Sequence, residues 1–488
     1  MKQEISLMKL IQTSLFSWLI ILRFLILLTL FSQSYSDLKI YFFSWKTYGF
    51  LIFIWFLIEI KISNLNKENN LYFTTFVFIG ILKMTLALYN NNFSDIIFFS
   101  PPDSEIYKSL ANGLFRCFKY SSNLNLFCEG EPYFKRGPSY SILLSIFTLG
   151  GNISVIPFII IQIFISAATF KLIINEIQKI NIPFGIAAVF ILCSINPLIY
   201  SFSRVVLMET FGSFLLVLAY TLSRKGSQIR GSTIIWLSLL IVSLFMNLQF
   251  FAGVILFYLK SLFFKNETNK NAFITMLILL FLIFAWGERN KEYIGYWDFN
   301  PKTGCYLEKN IIESTEAFKL NTNIGEIRDS GHTYKLLNDS RIKNQSDSPE
   351  VCKKFLKIIP SYYFENSSYI FSTYKVFLSN FASPTQPCQY ESIICERGYW
   401  FWLVGKMSNY IFALSLFIVF LKKRNYIYDI FIYSLVLFLI TVLVTVDSPR
   451  MKVIFLPLYY LVIGIGLSEI FRYLNCYISK LLPKNSKN

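Results

Sequence analysis

The chain has little charge and almost no histidine. Only 15% of its 488 residues are charged, and His332 is the single histidine. Metal sites or nucleophilic mechanisms that need several histidines therefore have little to draw on. Apolar residues make up 54% of the sequence instead. That is too apolar for a soluble protein of this length and is typical of a polytopic membrane protein.

Apolar runs long enough to cross ~30 Å of hydrocarbon recur along most of the chain. The first, Leu10 to Phe31, lacks a small-residue cleavage site and is expected to be a retained helix. The run 232–264 is divided in two, because Asn247 to Gln249 interrupts it and it is too long for one upright crossing. We predict an all-α polytopic membrane protein with about twelve helical spans. They cover residues 10–32, 47–63, 71–89, 153–174, 183–200, 206–222, 232–248, 250–264, 272–287, 399–421, 427–446 and 452–472.

Charge predicts the orientation. The net charge of +17 lies in short basic clusters between apolar runs, so nucleic-acid binding is not expected. With the N-terminus inside, the predicted inner segments carry nearly all of this excess, while segment 288–398 has as many acidic as basic residues. The positive-inside rule then places both termini in the cytoplasm. We expect a multi-pass protein of the plasma (inner) membrane, with its active site on the periplasmic or extracellular side.

The predicted spans divide the chain into six parts. Residues 139–149 are apolar but shorter than the ~17 residues that a helical span needs, so we predict an interfacial helix there. The parts are N-terminal transmembrane helices over 1–90, an outer catalytic loop with interfacial helices over 91–151, transmembrane helices over 152–287, a large outer loop domain of mixed composition over 288–398, C-terminal transmembrane helices over 399–474 and a basic cytoplasmic tail over 475–488.

Six of the eight cysteines fall in the two predicted outer loops. An even number of cysteines on one face suits disulfides in an oxidising compartment. Six cysteines allow ~15 pairings, so no pairing is assigned. The six are Cys117, Cys128, Cys305, Cys352, Cys388 and Cys395.

Two carboxylates lie in the first outer loop. Asp103 follows two prolines, with Tyr107 and Ala111 after it at helical spacing. It is either a helix cap or a general base at the membrane–water boundary. Glu105 faces another side of that helix and is a second acid, an ion contact or a solvated residue. The two offer oxygen ligands for a hard divalent cation, although no function considered for the chain requires a metal.

Basic residues surround these carboxylates in the predicted topology. Lys135 and Arg136 either meet lipid headgroups without specificity or bind the phosphate of one lipid substrate, for which a guanidinium is well suited. Arg450, before the last span, is either a further phosphate contact or an ordinary flanking charge. Glu209 lies at the outer end of a span, where an ionisable residue is either functional or a structural hydrogen-bond partner.

Four short motifs occur in a distinctive order. They are Asp-Ser-x-x-Tyr-x-x-x-Ala (Asp103 to Ala111), Arg-x-Pro-x-Tyr (Arg136 to Tyr140), Asn196-Pro197 followed by Leu-Met-Glu (Leu207 to Glu209), and Ser-Pro-Arg ending at Arg450. Their order and shared outer face resemble the GT-C membrane glycosyltransferases, of the protein O-mannosyltransferase and aminoarabinose transferase type. The resemblance covers about residues 71–287 and 399–474. It differs in two extra N-terminal spans and in Ser104, where many relatives carry Glu.

The resemblance implies a GT-C-like bundle that moves a sugar from a polyprenyl-phosphate carrier to a glycan, lipid or protein acceptor. A single base favours inversion, because retention usually needs a second, nucleophilic carboxylate, for which Glu105 is the local candidate. The site residues expected from the resemblance and the local chemistry are Asp103 and Glu105 as catalytic groups, Lys135, Arg136 and Arg450 at the donor phosphate, and Tyr107, Tyr140 and Glu209 as further candidates.

Two other functions stay open. The same charges suit a transporter or flippase of lipid-linked sugars, or a polysaccharide polymerase or ligase. The lack of an internal repeat and the position of the charges at the membrane edge favour the enzyme over the transporter. An early aspartate before Arg-x-Pro-x-Tyr favours it over the polymerase.

Overall fold

The computed structural model describes residues 77, 102–117, 121–122, 131–132, 137–149, 152–153, 155–178, 208–225, 232–263, 269–337, 348–382, 399–422 and 449–481. Helices dominate this part of the chain, which confirms the predicted helical class. The first seven are α1 (Pro102–Cys117), α2 (Ser139–Ser145), α3 (Val155–Gln178), α4 (Glu209–Lys225), α5 (Ser232–Met246), α6 (Leu248–Phe263) and α7 (Asn269–Ile294).

The remaining helices follow α7. They are α8 (Thr303–Leu307), a π-helical segment (Glu308–Glu313), α9 (Ser314–Lys319), α10 (Ile324–Asp329), α11 (His332–Lys335), α12 (Pro349–Glu365), α13 (Ser367–Ala382), α14 (Tyr399–Lys422) and α15 (Pro449–Leu481). Strands are minor: β1 (Ser121–Ser122) pairs with β2 (Glu131–Pro132), and β3 (Thr148–Leu149) pairs with β4 (Asn152–Ile153), both antiparallel.

Seven of the segments predicted as spans are helical, namely α3 to α7, α14 and α15. Of segment 71–89 only Val77 is described, and it is helical; segments 10–32, 47–63, 183–200 and 427–446 lie outside the described residues. By length and composition, two described helices could cross a membrane, over Phe158–Ile177 and Lys270–Ile294. Three other apolar helices are shorter. The number of about twelve crossings therefore stays a prediction.

Helices α5 and α6 form an antiparallel hairpin that turns at Asn247. The rings of Trp236 and Tyr258, equally far from Asn247 along the chain, lie 5.3 Å apart. The predicted interruption of the run 232–264 is thus a real break between two helices. At this break the polar residues Asn247 and Gln249 interrupt the apolar sequence that forms the two helices.

Helices α3 and α4 run in the same direction. Phe158 stacks on Phe211 at one end, with ring centroids 5.9 Å apart, and Arg224 pairs with Glu176 at the other, at 3.6 Å. Helix α6 runs parallel to α4 as well. Phe250 packs against Gly212 near the start of both helices, and Phe257 packs against Tyr220 further along.

Helices α14 and α15 are also parallel and approach closely. Tyr459 stacks on Phe412 with centroids 4.3 Å apart, and its hydroxyl donates to Asn409 Oδ1 at 2.8 Å. One level further along, a Cβ on Gly466 would lie 2.3 Å from Ser415 Cβ, so only glycine permits this approach. Helix α15 packs in turn on α3 and α4. We call α1 to α7, α14 and α15 the main bundle.

The helices from α8 to α13 pack around a second, smaller core. A disulfide between Cys305 and Cys352 joins α8 to α12, as expected of cysteines in the predicted outer loops. Cys117 is also disulfide-bonded, whereas Cys476 is a free thiol. Cys128, Cys388 and Cys395 lie outside the described residues. We call residues 296–374 the disulfide region.

Local sequence explains where α12 begins. The Ser348 hydroxyl accepts a hydrogen bond from Val351 N at 3.4 Å, and Pro349 occupies the first helical position. Both features are favoured at helix N-termini. The helix then continues almost unbroken into α13, because Asn366 N donates to Tyr362 O and Ile370 N to Asn366 O, each at 3.0 Å.

Candidate active site

The motif around Asp103 forms the start of α1. Pro102 is its first residue, and Asp103 and Glu105 lie in its first turn, where carboxylates are favoured by the positive end of the helix. The side chains of Asp103 and Glu105 lie outside the described part. One turn after Asp103, Tyr107 is buried, and Ala111 is buried one turn further on. Helix α1 therefore docks through the face that carries positions 107 and 111.

Tyr107 joins three of the predicted motifs. Its ring meets Tyr140 of α2 edge to face, with centroids 4.8 Å apart. Its hydroxyl donates to Met208 Sδ, 3.2 Å away, just before α4. The tyrosine of the aspartate motif, the tyrosine of Arg-x-Pro-x-Tyr and the methionine of Leu-Met-Glu are thus in direct contact. Their separation in sequence gave no local signal for this contact.

An aromatic cluster surrounds this point. The Tyr140 ring also meets Phe158 of α3 and Phe211 of α4 edge to face, at 6.0 and 5.9 Å. Glu209, next to Met208, is buried in the first turn of α4. A carboxylate at that position interacts favourably with the helix dipole. The structure therefore brings Tyr107, Tyr140 and the chain segment of Glu209 to one end of the main bundle.

The turn after Lys135 and Arg136 is anchored at the same end. A Cβ on Gly137 would lie 2.0 Å from the carbonyl oxygen of Phe245, so the backbone of this turn lies directly against the end of α5. The Phe245 ring in turn meets Trp286 of α7 at 5.4 Å. Lys135 and Arg136 themselves lie outside the described residues.

The side chains of the three predicted phosphate contacts, Lys135, Arg136 and Arg450, lie outside the described part of the chain. Arg450 lies in the first turn of α15, but its side chain is outside the description. The residues that the structure describes contain no group of three or more His, Cys, Asp or Glu side chains that could hold a metal ion. The donor-phosphate assignments therefore stay predictions.

A polar network in the disulfide region was not predicted from the sequence. Glu316 Oε1 accepts hydrogen bonds from Lys319 Nζ at 2.7 Å and the Tyr362 hydroxyl at 2.5 Å, and Oε2 contacts His332 Nε2 at 3.1 Å. Burial alone would raise the pKa of Glu316, but these three partners outweigh it and hold the pKa below its ordinary value. The chain's single histidine thus belongs to a carboxylate-centred network.

Two more carboxylates lie beside this network. Glu313 accepts from Arg328, with Nη2 2.8 Å from Oε2, and this hydrogen bond raises the pKa of the guanidinium. Burial raises the pKa of Glu308 to about 7, and the neighbouring Glu313 carboxylate adds to this effect. The three-residue spacing of Glu313, Glu316 and Lys319 could have predicted that these side chains share one helix face. Nothing in the sequence predicted their partners on other helices.

No protein-family model, no curated protein and no solved structure matches this chain.

Proposed function

We propose that this chain is an inverting glycosyltransferase of the GT-C type, which moves a sugar from a polyprenyl-phosphate carrier to a glycan, lipid or protein acceptor. One observation carries the proposal. Tyr107, Tyr140 and Met208 belong to three separate motifs of that resemblance, and they are in contact at one end of the main bundle. If the short motifs matched by chance, there would be no reason for their residues to be in contact.

The proposed reaction is a single displacement. The acceptor hydroxyl oxygen attacks the anomeric carbon as the bond from that carbon to the phosphate oxygen breaks. Asp103 takes the hydroxyl proton, a contribution of ~10²–10⁴-fold to the rate. The polyprenyl phosphate leaves as an anion, so it needs cationic stabilisation rather than protonation. Lys135 and Arg136, with Arg450, are the residues proposed to supply it.

The exposed surface of α7 supports a place in a membrane. Phe273, Leu280, Phe281 and Phe284 are each more than half exposed. So large an apolar face is unfavourable in water but suits lipid. Trp286, Tyr293 and Trp297 follow at one end, as aromatic residues do at a membrane–water interface.

Helix directions support the proposed topology of about twelve crossings. That topology requires α3, α4 and α6 to run one way and α5 the other, and their ring contacts have this arrangement. The disulfide between Cys305 and Cys352 suits an oxidising compartment, in agreement with a periplasmic or extracellular disulfide region and cytoplasmic termini.

The test compares wild type, Asp103→Asn and Asp95→Asn in liposomes supplied with a panel of radiolabelled polyprenyl-phosphate sugars and a membrane extract as acceptor. Asp95 is the matched control, an aspartate of the same predicted loop outside the motif. We expect wild type and the control to transfer label, and Asp103→Asn to lose ~10²–10⁴-fold of that rate while still binding the carrier. Carrier moved across the bilayer by all three proteins without transfer would establish the flippase alternative instead.

A further inference from the structure

One face of the continuous helix α12–α13 is left open by the packing of the disulfide region. Phe355, Ile359 and Ile370 on one side are buried in its core. On the other side lies a row of exposed positions, each three, four or seven residues from another member of the row, so that they share one helix face. We call this row the open stripe; it consists of Lys353, Leu356, Lys357, Pro360, Phe364 and Phe371.

The open stripe combines large apolar side chains with lysines. Phe364 is 81% exposed and Phe371 is 64% exposed, and Leu356 is also well exposed. Lys353 and Lys357 flank Leu356 at the N-terminal end of the stripe and are exposed as well. A helix that buries one face in a core gains no stability in water from exposed phenylalanines on its other face. Lysines on the same face as exposed apolar residues are typical of helices that lie in the plane of a membrane surface.

The start of the open stripe is fastened to the end of α7. The Tyr296 hydroxyl donates to the carbonyl oxygen of Pro349 at 2.9 Å, and Lys353 Nζ lies 3.9 Å from the centre of the Tyr296 ring. Tyr296 lies two residues after the end of α7, and its neighbour Trp297 packs back against Gly287 of that helix. Lys353 therefore lies beside the aromatic end of α7.

We infer that the open stripe rests on the phospholipid headgroup layer of the membrane that holds the main bundle. This inference uses the membrane placement in the proposed function but not its chemistry. Lys353 and Lys357 contact lipid phosphates with their ammonium groups, and their alkyl chains run along the apolar boundary. Phe364 and Phe371 enter that boundary, where their burial is favourable. Charge complementarity and the attachment to α7 favour lipid over a protein partner.

The experiment places an environment-sensitive fluorophore on the stripe. Phe364→Cys is labelled with a nitrobenzoxadiazole probe in a Cys476→Ala background, and the full chain is reconstituted in liposomes with anionic phospholipids. Asp329→Cys, an exposed position of α10, is the matched control, and Cys476→Ala alone gives the background label. We expect the probe at position 364 to emit at shorter wavelength, to resist aqueous iodide and to be quenched by lipids with a nitroxide near the headgroup.

Iodide quenching at position 364 as strong as at position 329 would overturn the inference. So would a probe that is shielded in native membranes but open to iodide in liposomes of purified protein, because a protein partner would then cover the stripe. Phe371→Cys repeats the measurement if the first variant does not fold. Sugar transfer by the same liposomes is scored separately, so loss of transfer and loss of lipid contact are distinguishable.

Discussion

The main bundle and the disulfide region differ in the residues that form their cores and in those that cover their surfaces. In the main bundle the core is aromatic and aliphatic, and large apolar side chains such as Phe281 and Phe417 also cover the outside. In the disulfide region the core is small and is crossed by Cys305–Cys352. Three carboxylates close in sequence, Glu308, Glu313 and Glu316, are buried beside it, whereas the main bundle buries Glu176 and Glu209 at opposite ends.

Under the proposed function the two parts have different surroundings, lipid for the main bundle and water for most of the disulfide region. A small domain in water cannot bury enough apolar surface to be stable on that account alone, and covalent links commonly make up the deficit. A bundle in lipid gains little from hiding its apolar side chains and depends on close packing between helices. The contact of Gly466 with Ser415 is of that kind. The two parts should therefore respond differently to the same perturbation.

The largest expected effect is loss of the disulfide. Cys305 and Cys352 are 47 residues apart in sequence, and a cross-link of that span is worth about 4 kcal/mol through the entropy of the unfolded chain. We expect Cys305→Ala with Cys352→Ala to raise hydrogen exchange throughout α8 to α13 and to leave α3 to α6 unchanged. Mass spectrometry of the exchanged peptides measures this, with Cys476→Ala as control. Equal loosening of both parts would contradict the comparison.

The converse perturbation is Tyr140→Ala in the main bundle. It removes a fully buried ring and its contacts with Tyr107, Phe158 and Phe211, at a cost of about 3 kcal/mol. Exchange should rise in α1 and α2 while the disulfide region stays protected. Ile142→Ala on the same helix, where the side chain is half exposed, is the control and should have little effect. Similar results for both variants would show that α2 is not part of the core.

A smaller effect should appear with pH, in the disulfide region alone. Burial raises the pKa of Glu308 from 4.5 to about 7, so its contribution to stability is fully present below pH 4.5 and is lost as pH rises through about 7. Glu316, whose pKa is lowered, contributes in the opposite sense and loses its effect as pH falls below 4.5.

Glu308→Gln should remove the loss of stability between about pH 4.5 and 7 and stabilise the region at pH 8 by up to ~3 kcal/mol. Limited proteolysis of the disulfide region as a function of pH measures it, with the exposed Glu365→Gln as control. An unchanged pH profile would mean that Glu308 is ionised throughout this range.

The smallest expected effect concerns the Tyr107 hydroxyl. Tyr107→Phe keeps the ring against Tyr140 and removes the hydrogen bond to Met208 Sδ, so the cost should be about 0.5 kcal/mol. Tyr107→Ala, which also empties the buried ring site, should cost several times more. The thermal unfolding midpoint compares the two variants. A large effect of Tyr107→Phe would place the stabilisation in the hydroxyl rather than in ring packing.

Local patterns in the sequence were sufficient for the long apolar helices, but not for α8 to α13, which lie in a segment predicted only as a mixed outer loop domain. The runs that became α3 to α7 are continuous apolar stretches, and the break at Asn247 follows from polar residues that an apolar helix cannot bury. The pattern also predicted helical spacing at Asp103, Tyr107 and Ala111, which lie in α1 as expected. These features depend on neighbours within one or two turns, so composition and periodicity are enough to reveal them.

By itself the sequence determined the helical class, the break between α5 and α6, and the residues in the first turn of α1. The tertiary structure alone decided that Tyr107 meets Tyr140 and Met208, and that Cys305 pairs with Cys352. It also decided that Glu316 gathers His332, Lys319 and Tyr362. The physical reason is range: a helix forms from contacts within a few residues, whereas these groups meet only after helices far apart in the chain have packed.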